Sequence, residues 1–463
     1  MSFLTYFRSE AFSRGSHPPP NKSRTESLPI HRMPFCDKIV VPLSQHIGKE
    51  SKPIVKVGEF VQRGQLIASA DGWLSVPQHA PVTGTIEAIE LYPSARGVWQ
   101  KSIIIKTQGG SSQTKISGTP LNINDKKLTE SDIVQAIWDT GMVGLGGATF
   151  PAHAKLSVPK QAQVHTIVVN GCECEPYLTC DHRAMLEYAD DLIRGIRFAM
   201  KATGAIRAII GIEDNKEDAV QAVEAAIEKV AEELKTNEEG SIHCEMVPTK
   251  YPQGSEKMLL MALFGVEIQS GALPISLGMV VNNAGTLAAI GQLLPKGESL
   301  VERIVTVTGP GVKKPGNYIV PIGTPVRFIL EYVGLNDDYP SHQIILGGPM
   351  MGQAIASIDV PITKGTSGVL VFRQPDMIEA DRRKIYPCIK CGECVDTCPM
   401  GLNPSALGML AVSQEYETMA EKYHLADCFE CGCCTYVCPS NIPLVQQFRV
   451  SKQILRERAA SSK

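Results

Sequence analysis

The chain has 463 residues, of which 43% are hydrophobic, and a formal net charge of −3. This length and composition allow several packed domains, and the near-neutral charge excludes the basic surface expected of a protein that binds nucleic acid. No apolar run reaches the ~18 residues of a membrane-spanning helix, and the start of the chain lacks the layout of a signal peptide. With 14 cysteines, most of them in two short runs, the sequence favours a cytoplasmic protein whose thiols stay reduced.

Two segments precede the first helical pattern. Residues 1–30 are polar and proline-rich, which predicts an extended N-terminal arm, either a disordered tail or a strap lying on a partner or on the following domain. Residues 31–110 alternate apolar and polar positions between frequent turns, which predicts an all-β domain. The pattern resembles the lipoyl and biotinyl barrel-sandwich family, whose carrier members present a modifiable lysine on a central hairpin. Trp73 stands near that position, so we expect a structural or docking role.

An α/β domain is predicted over residues 125–300. The segment SDIVQAIWDTG has helical periodicity, with Ser131 as the predicted N-cap and Gly141 at the end. The next segment, GLGGATFPAHAKL, is rich in glycines that expose backbone N–H groups to a phosphate or a ring. It resembles a dinucleotide fingerprint only in part, because Thr149 replaces the last glycine and the run follows a helix. A simple glycine-rich turn therefore remains an alternative.

Polar side chains follow the strands of this domain. The β-branched run at 164–169 predicts a buried parallel strand, and Asn170, Glu173 and Glu175 come after it. Ligands bind at the carboxyl ends of strands in open α/β sheets, so these groups are well placed. The nearby thiols of Cys172, Cys174 and Cys180 lack the spacing of a metal site. Alternating helices (184–202 and 216–236) and strands complete the predicted domain.

A β-grasp-like domain is predicted over residues 301–360, followed by a short β element at 362–372, a cluster module at 375–450 and a C-terminal tail at 451–463. The module contains CIKCGECVDTCP and CFECGCCTYVCP, and each run has the C-x2-C-x2-C-x3-C-P spacing of bacterial 4Fe–4S proteins. Paired zinc sites or disulfides fit this spacing less well. The fourth cysteine of each run serves the other cluster in such modules. The predicted ligand sets are Cys388, Cys391, Cys394 and Cys438 for the first cluster, and Cys428, Cys431, Cys434 and Cys398 for the second. Cys433 is out of register and is predicted to be a bystander.

Four motifs in the middle of the chain, GLGGATFPAHAK, NGCECEP, YPQGSE and VVNNAGT, resemble in order and spacing the FMN- and NADH-binding subunit of respiratory complex I. With its barrel-sandwich, β-grasp and double-ferredoxin segments, nearly the whole chain is similar to the C subunits of Rnf complexes, the membrane ferredoxin:NAD oxidoreductases. The resemblance implies a multidomain α/β protein with a β barrel-sandwich, a Rossmann-like FMN/NADH domain, a β-grasp (SLBB-like) domain and a helical module with two 4Fe–4S clusters. It also implies FMN, NAD(H) as substrate, other Rnf-type membrane subunits and an iron–sulfur subunit as partners, and a peripheral position at the cytoplasmic face of the membrane.

The resemblance also implies roles for individual residues. The glycine-rich loop would surround the flavin, Lys155 would reach its phosphate or ring, Phe150 would pack near the nicotinamide, and Asn170 and Glu173 would hold the isoalloxazine edge. The implied residues of the glycine-rich and strand-end segments are Gly144, Gly146, Gly147, Ala148, Phe150, Lys155, Asn170 and Glu173. Those implied for the NADH site are Tyr251, Gly254, Ser255 and Glu256, and those implied for the FMN phosphate or ribityl chain are Asn282, Asn283 and Thr286. Cys172 and Ser255 replace an acidic residue of the complex I pattern, which removes two carboxylates from the expected site.

The chemistry implied by these parts is electron transfer. NADH gives up two electrons as a hydride, clusters accept one at a time, and a flavin converts between the two. No side-chain acid or base is required, and none is assigned. Three alternatives remain: a soluble diaphorase subunit of an NAD-linked hydrogenase or formate dehydrogenase, a non-enzymatic iron–sulfur scaffold, and the A subunit of a sodium-pumping quinone reductase, which the cysteine runs disfavour.

Overall fold

The computed structural model describes residues 12–236, 240–336, 342–373 and 384–461. The first 11 residues of the predicted arm, residues 375–383 of the predicted cluster module and residues 462–463 of the predicted tail lie outside the described residues. Among the described residues, no helix is both long and apolar enough to cross a membrane.

The first domain is a sandwich of two small antiparallel sheets. Apolar side chains that alternate along the strands meet between the sheets, and they include the fully buried Ile39, Ile67 and Ile103. One sheet has the order β2 (Lys38–Pro42), β8 (Trp99–Thr107), β7 (Gly84–Pro93) and β4 (Phe60–Val61), and the other has β3 (Lys52–Pro53), β5 (Leu66–Ser69) and β6 (Gln78–His79). Trp73, in the lysine position of a carrier, packs its ring edge-on against Trp138 and His153 of the next domain. The hairpin therefore docks within the chain.

The second domain has a four-stranded parallel sheet flanked by helices. The strand order is β11 (Ser241–Val247), β10 (Arg207–Glu213), β9 (Thr166–Gly171) and β12 (Met279–Asn283). The helices are α1 (Glu130–Asp139), α2 (Ala152–Leu156), α3 (Cys180–Glu187), α4 (Ala189–Thr203), α5 (Glu217–Thr236), α6 (Glu256–Phe264) and α7 (Ala284–Leu293). The carboxyl ends of β9 and β12, which are neighbours in the sheet, bring the loops of the predicted nucleotide site to one edge.

Two local predictions in this domain were wrong. The N-cap of α1 is Thr129 and not Ser131: the Thr129 hydroxyl accepts a hydrogen bond from the Asp132 N–H, and the Asp132 carboxylate accepts one from the Thr129 N–H. This reciprocal capping box needs a spacing of three residues, which Ser131 lacks. The helix predicted at 184–202 is two helices, α3 and α4, because the backbone leaves helical geometry at Tyr188.

The third domain is a six-stranded mixed sheet covered by α8 (Val326–Val333). Its strand order is β1 (Ile30–Arg32), β14 (Gly316–Pro321), β13 (Glu302–Thr308), β17 (Gly368–Arg373), β15 (His342–Leu346) and β16 (Gln353–Ala354). The sheet therefore exceeds the predicted range of 301–360 at both ends. The β element predicted to lead to the clusters is the inner strand β17, and the edge strand β1 lies at the boundary between the predicted arm and the predicted barrel-sandwich. Local alternation predicts a strand but not its neighbours, which explains the difference.

The cluster module consists of short helices around a small core that includes Leu407, Met419 and Phe448. Its helices are α9 (Glu393–Asp396), α10 (Pro404–Val412), α11 (Tyr416–Glu421), α12 (Cys433–Tyr436) and α13 (Leu444–Ser461). The two cysteine runs have the same local structure, because α9 and α12 each follow a glycine with φ of 88°. The predicted tail at 451–463 is helical as far as Ser461 and packs Ile454 and Leu455 against this core.

The described part of the predicted arm, residues 12–30, is a strap that contacts the other domains. The Lys22 ammonium is buried and donates to the carbonyl oxygens of Glu173 at 2.8 Å, Glu175 at 3.0 Å and Leu178. Further along, the Asn317 side-chain amide of β14 donates to the Thr25 carbonyl at 3.1 Å. The segment is thus a strap, but the domains that it contacts here are the α/β domain and the third domain, which the prediction did not name.

Candidate functional site

The glycine-rich loop after α1 lies against the N-terminus of α7. The Leu145 N–H donates to the Thr286 hydroxyl at 2.8 Å, and a Cβ on Gly146 would lie 3.3 Å from the Asn283 side chain. Thr149, in the position of a fingerprint glycine, has a φ of 53°, which is the left-handed region that glycine favours. Gly146, Gly147 and Ala148 are exposed. The loop therefore presents open backbone next to a helix N-terminus, an arrangement suited to a phosphate.

The N-terminus of α7 is organised by two consecutive asparagines. The Asn283 side chain caps the helix by accepting from the Thr286 N–H at 3.0 Å, and its amide donates to the Asp181 carboxylate at 2.6 Å. Burial, and then the neighbouring charge of Glu173, raises the pKa of Asp181 to about 7. Asn282 is only 4% exposed, and its side-chain Nδ2 has no hydrogen-bond partner. A buried donor without an acceptor is costly, so this atom is suited to a ligand oxygen.

The N-terminus of α6 forms the facing side of the site. Glu256, in its first turn, forms an ion pair with Lys155 of α2, and both side chains are partly exposed. Ser255 occupies the N-cap position without a side-chain capping bond. The Asn170 amide donates to the Gly254 carbonyl at 2.7 Å, so the end of β9 positions the start of this helix. Both predicted groups of residues, around Lys155 and around Glu256, meet here.

Two residues predicted for the nucleotide site lie elsewhere. The Glu173 carboxylate is buried and accepts from the backbone N–H groups of Asp181 at 3.0 Å and His182 at 3.1 Å, which places it at the N-terminus of α3. A carboxylate interacts favourably with the positive N-terminal end of a helix dipole, so Glu173 stabilises the start of α3. Tyr251 is also buried, and its hydroxyl donates to the Cys431 carbonyl at 2.6 Å. It faces the cluster module, because the strap and the second cysteine run enclose it.

FMN fits the residues that are present. The unpartnered Nδ2 of Asn282, the open backbone at 146–148 and the Lys155 ammonium provide donors for an anionic, oxygen-rich group.

The three thiols near this edge are separately engaged: Cys172 donates to the Gly211 carbonyl at 3.5 Å, Cys174 accepts from the Gly254 N–H, and Cys180 donates to Glu173. They do not act as a set.

The structure brings the fourth cysteine of each run to the other run. Burial raises the pKa of Cys394, and the next largest causes are the thiols of Cys391, Cys438 and Cys388. Burial, and then the neighbouring thiols of Cys428 and Cys398, raise the pKa of Cys434 to about 12. Within the described ranges, no three His, Cys, Asp or Glu side chains are arranged to hold a single metal ion.

The two thiol sets differ in exposure and in their neighbours. In the first set Cys388 and Cys391 are exposed, whereas in the second set Cys398 and Cys434 are buried. The loop of the second set packs on the third domain, because a Cβ on Gly432 would lie 2.7 Å from the Met350 carbonyl oxygen. The second set is therefore the more buried of the two, and the first set is the more exposed.

Sequence reasoning noted Glu175 but did not give it a role. Its carboxylate accepts from the N–H groups of Met350 at 3.0 Å and Met351 at 2.8 Å, which ties the end of β9 to the loop beneath the second cysteine run. Burial raises the pKa of Glu175 to about 7. The roles of Lys22 and Ser16 in the strap were missed too. The only local signal was a lysine within a proline-rich segment, which is also typical of a solvated tail.

Comparisons with known proteins agree with this architecture. Profiles match the RnfC barrel sandwich hybrid domain at residues 10–110, the Nuo51 FMN-binding domain at 137–292, the SLBB domain at 304–354 and a 4Fe-4S dicluster domain at 387–442. A NAD+-reducing NiFe hydrogenase in the H2-reduced state has a similar fold, with a TM-score of 0.51 and 19% identity over 72% of this chain and 67% of that chain. The predicted fold class is confirmed.

Three relatives are similar over most of the chain. The C subunit of the proton-translocating ferredoxin:NAD(+) oxidoreductase complex of Clostridium ljungdahlii is 39% identical over 87% of this chain and 84% of its own length. The C subunit of the Na(+)-translocating ferredoxin:NAD(+) oxidoreductase complex of Acetobacterium woodii is 38% identical over 85% of each chain. The C subunit of the ion-translocating oxidoreductase complex of Rhodobacter capsulatus is 40% identical over 96% of this chain and 83% of its own length. At this identity and coverage, the chain belongs to the family of C subunits of Rnf-type ion-translocating oxidoreductase complexes.

Proposed function

We propose that this chain transfers electrons between NAD(H) and ferredoxin-linked carriers, through FMN and two 4Fe–4S clusters, as a subunit of an ion-translocating ferredoxin:NAD oxidoreductase complex. The observation that carries the proposal is the packing of the buried second thiol set against the α/β domain, through Tyr251 and Cys431. A site that fits a flavin and a site that fits a cluster thus lie on opposite sides of one short segment.

The residues divide the work as follows. The glycine-rich loop, Asn282 and the N-terminus of α7 bind the flavin phosphate and ribityl chain, and Lys155 reaches the flavin phosphate or ring. Glu256 and Phe150 line the nicotinamide side. FMN, when bound, supplies the conversion between a two-electron hydride and single electrons. The protein orients the nucleotide and encloses the second cluster.

The exposure of the thiol sets gives the order of the relay. Electrons pass between the flavin site and the second set, then between the second set and the first, whose Cys388 and Cys391 are exposed. Exchange with a partner takes place at the first set. The expected partners are Rnf-type membrane subunits and an iron–sulfur subunit, with this chain peripheral at the cytoplasmic face of the membrane.

The test is an anaerobic titration of the chain, reconstituted with iron and FMN, with NADH. Bleaching of the flavin absorption together with the appearance of cluster signals in low-temperature EPR is the expected result. Flavin that binds but stays oxidised refutes the nicotinamide assignment. A chain that retains about eight irons, as two four-iron clusters require, but no flavin supports the scaffold alternative.

A further inference from the structure

Tyr251 lies where the α/β domain, the strap and the second cysteine run meet. Its side chain is 2% exposed, and its hydroxyl donates to the Cys431 carbonyl at 2.6 Å. Its backbone pairs with Ser16 of the strap in both directions, at 2.8 and 2.9 Å. The Ser16 hydroxyl in turn lies 3.5 Å from the Cys433 sulfur. One tyrosine therefore contacts the cluster loop directly and through the strap.

The same tyrosine begins the segment that ends in the flavin site. Gly254, three residues later, accepts from the Asn170 amide at 2.7 Å and donates to the Cys174 sulfur at 3.2 Å. Three residues of chain span at most ~11 Å, so the Tyr251 backbone lies within this reach of the flavin-site edge at Gly254. Any shift of Tyr251 changes the separation of the two sites.

The hydroxyl also affects the reduction potential of the cluster. Hydrogen bonds near the ligand sulfurs and the extent of burial tune the reduction potential of an iron–sulfur cluster. The Tyr251 hydroxyl directs the positive end of its dipole at the peptide of Cys431, in a buried place where electrostatic effects are strong. It therefore favours the added electron of the reduced cluster.

We propose that Tyr251 is a positioning residue for electron transfer: its hydroxyl holds the loop of the second cluster against the flavin domain and makes that cluster easier to reduce. This rests on the proposed function, because it requires a cluster at the second thiol set. It replaces the nicotinamide role that the family resemblance implies for this residue.

The test compares Tyr251→Phe with Tyr318→Phe in the full reconstituted chain. Tyr318 is a matched control, since it is 6% exposed and its hydroxyl also donates to a backbone carbonyl, that of Lys314, at 2.9 Å, in the third domain. Both clusters are titrated with a chemical reductant and mediators under EPR detection, so the readout does not depend on NADH. Cys388→Ser and Cys434→Ser assign the signals to the first and second cluster.

We expect Tyr251→Phe to lower the equilibrium constant for reduction of the second cluster about three- to tenfold, which corresponds to ~30–60 mV at 59 mV per tenfold change. The first cluster and the iron content stay unchanged. Amide hydrogen exchange at 428–434 becomes faster in Tyr251→Phe but not in Tyr318→Phe, which reports the positioning role separately.

Three results overturn the proposal. In the first, the potential of the second cluster and the hydrogen exchange of Tyr251→Phe match those of the wild type. In the second, Tyr318→Phe shifts the potential of the second cluster by the same amount. In the third, the wild-type chain forms no second cluster. Only the last result also contradicts the proposed function. If NADH reduces the wild-type chain normally and the potential of the second cluster is unchanged in Tyr251→Phe, the role of Tyr251 is refuted and the proposed function is not.

Discussion

Replacement of Asn282 by alanine is expected to leave the stability of the flavin-free protein nearly unchanged and to weaken the binding of FMN. The Nδ2 of Asn282 is buried without a hydrogen-bond partner, and an unpaired buried polar group costs about 1–3 kcal/mol. Alanine removes that cost and leaves a small cavity, so the free energy of unfolding of the flavin-free chain changes by less than ~1 kcal/mol. If Nδ2 donates to FMN, the loss of one hydrogen bond of about 1–1.5 kcal/mol weakens FMN binding about five- to tenfold.

The assay pairs urea unfolding of the flavin-free protein with FMN titration followed by fluorescence quenching. Asn317→Ala is the control, because the Asn317 amide is fully buried with both ends bonded: Nδ2 donates to Thr25, and Oδ1 accepts from Thr179 and Thr306. This control loses about 2–4 kcal/mol of stability. The reasoning is refuted if Asn282→Ala destabilises the flavin-free protein as much as Asn317→Ala, or if its FMN affinity equals that of the wild type.

Three further changes test the charges and thiols described above. Burial opposes ionisation of Glu302, but Arg32, Lys115 and Arg63 outweigh it and lower its pKa from 4.5 to about 2. Glu302 therefore contributes up to ~3 kcal/mol to the free energy of unfolding above pH 4.5, and this contribution is lost as the pH falls towards 2. In Glu302→Gln, the free energy of unfolding measured by tryptophan fluorescence depends less on pH over this range. Lys22→Met leaves three buried carbonyls without their donor, so urea unfolding shows a loss of about 2–4 kcal/mol, whereas the exposed Lys56→Met changes little. Cys433→Ala retains about eight irons by chemical assay and Cys434→Ala about four, since only Cys434 keeps the ligand spacing; equal iron contents would contradict the ligand sets.

The sequence was sufficient where function depends on local spacing. The two cysteine runs predict the cluster module because each loop must present three thiolates within seven residues and a fourth just after them. The glycine-rich loop was recognised from its composition, its FMN role and that of the paired asparagines came from a family resemblance, and the structure brings the two segments together at one sheet edge. Their individual roles towards FMN and NAD(H) stay predictions.

The sequence was insufficient where partners are distant along the chain. Glu173 and Tyr251 occupy motif positions, but α3 and the second cysteine run engage them instead of an open site. The alternation of β17 predicts a strand, yet its pairing with β13 and β15 depends on residues far from it in sequence. The strap has the composition of a tail, and its burial depends on partners far away in sequence, such as the carbonyl groups around Lys22.

The strap also affects the order in which the molecule is completed. It leaves the ribosome before any of its partners, and Ser16 reaches Cys433 across a separation of 417 residues. Contacts this far apart form late in folding. The strap therefore closes over the cluster loops only after synthesis has passed the last cysteine run.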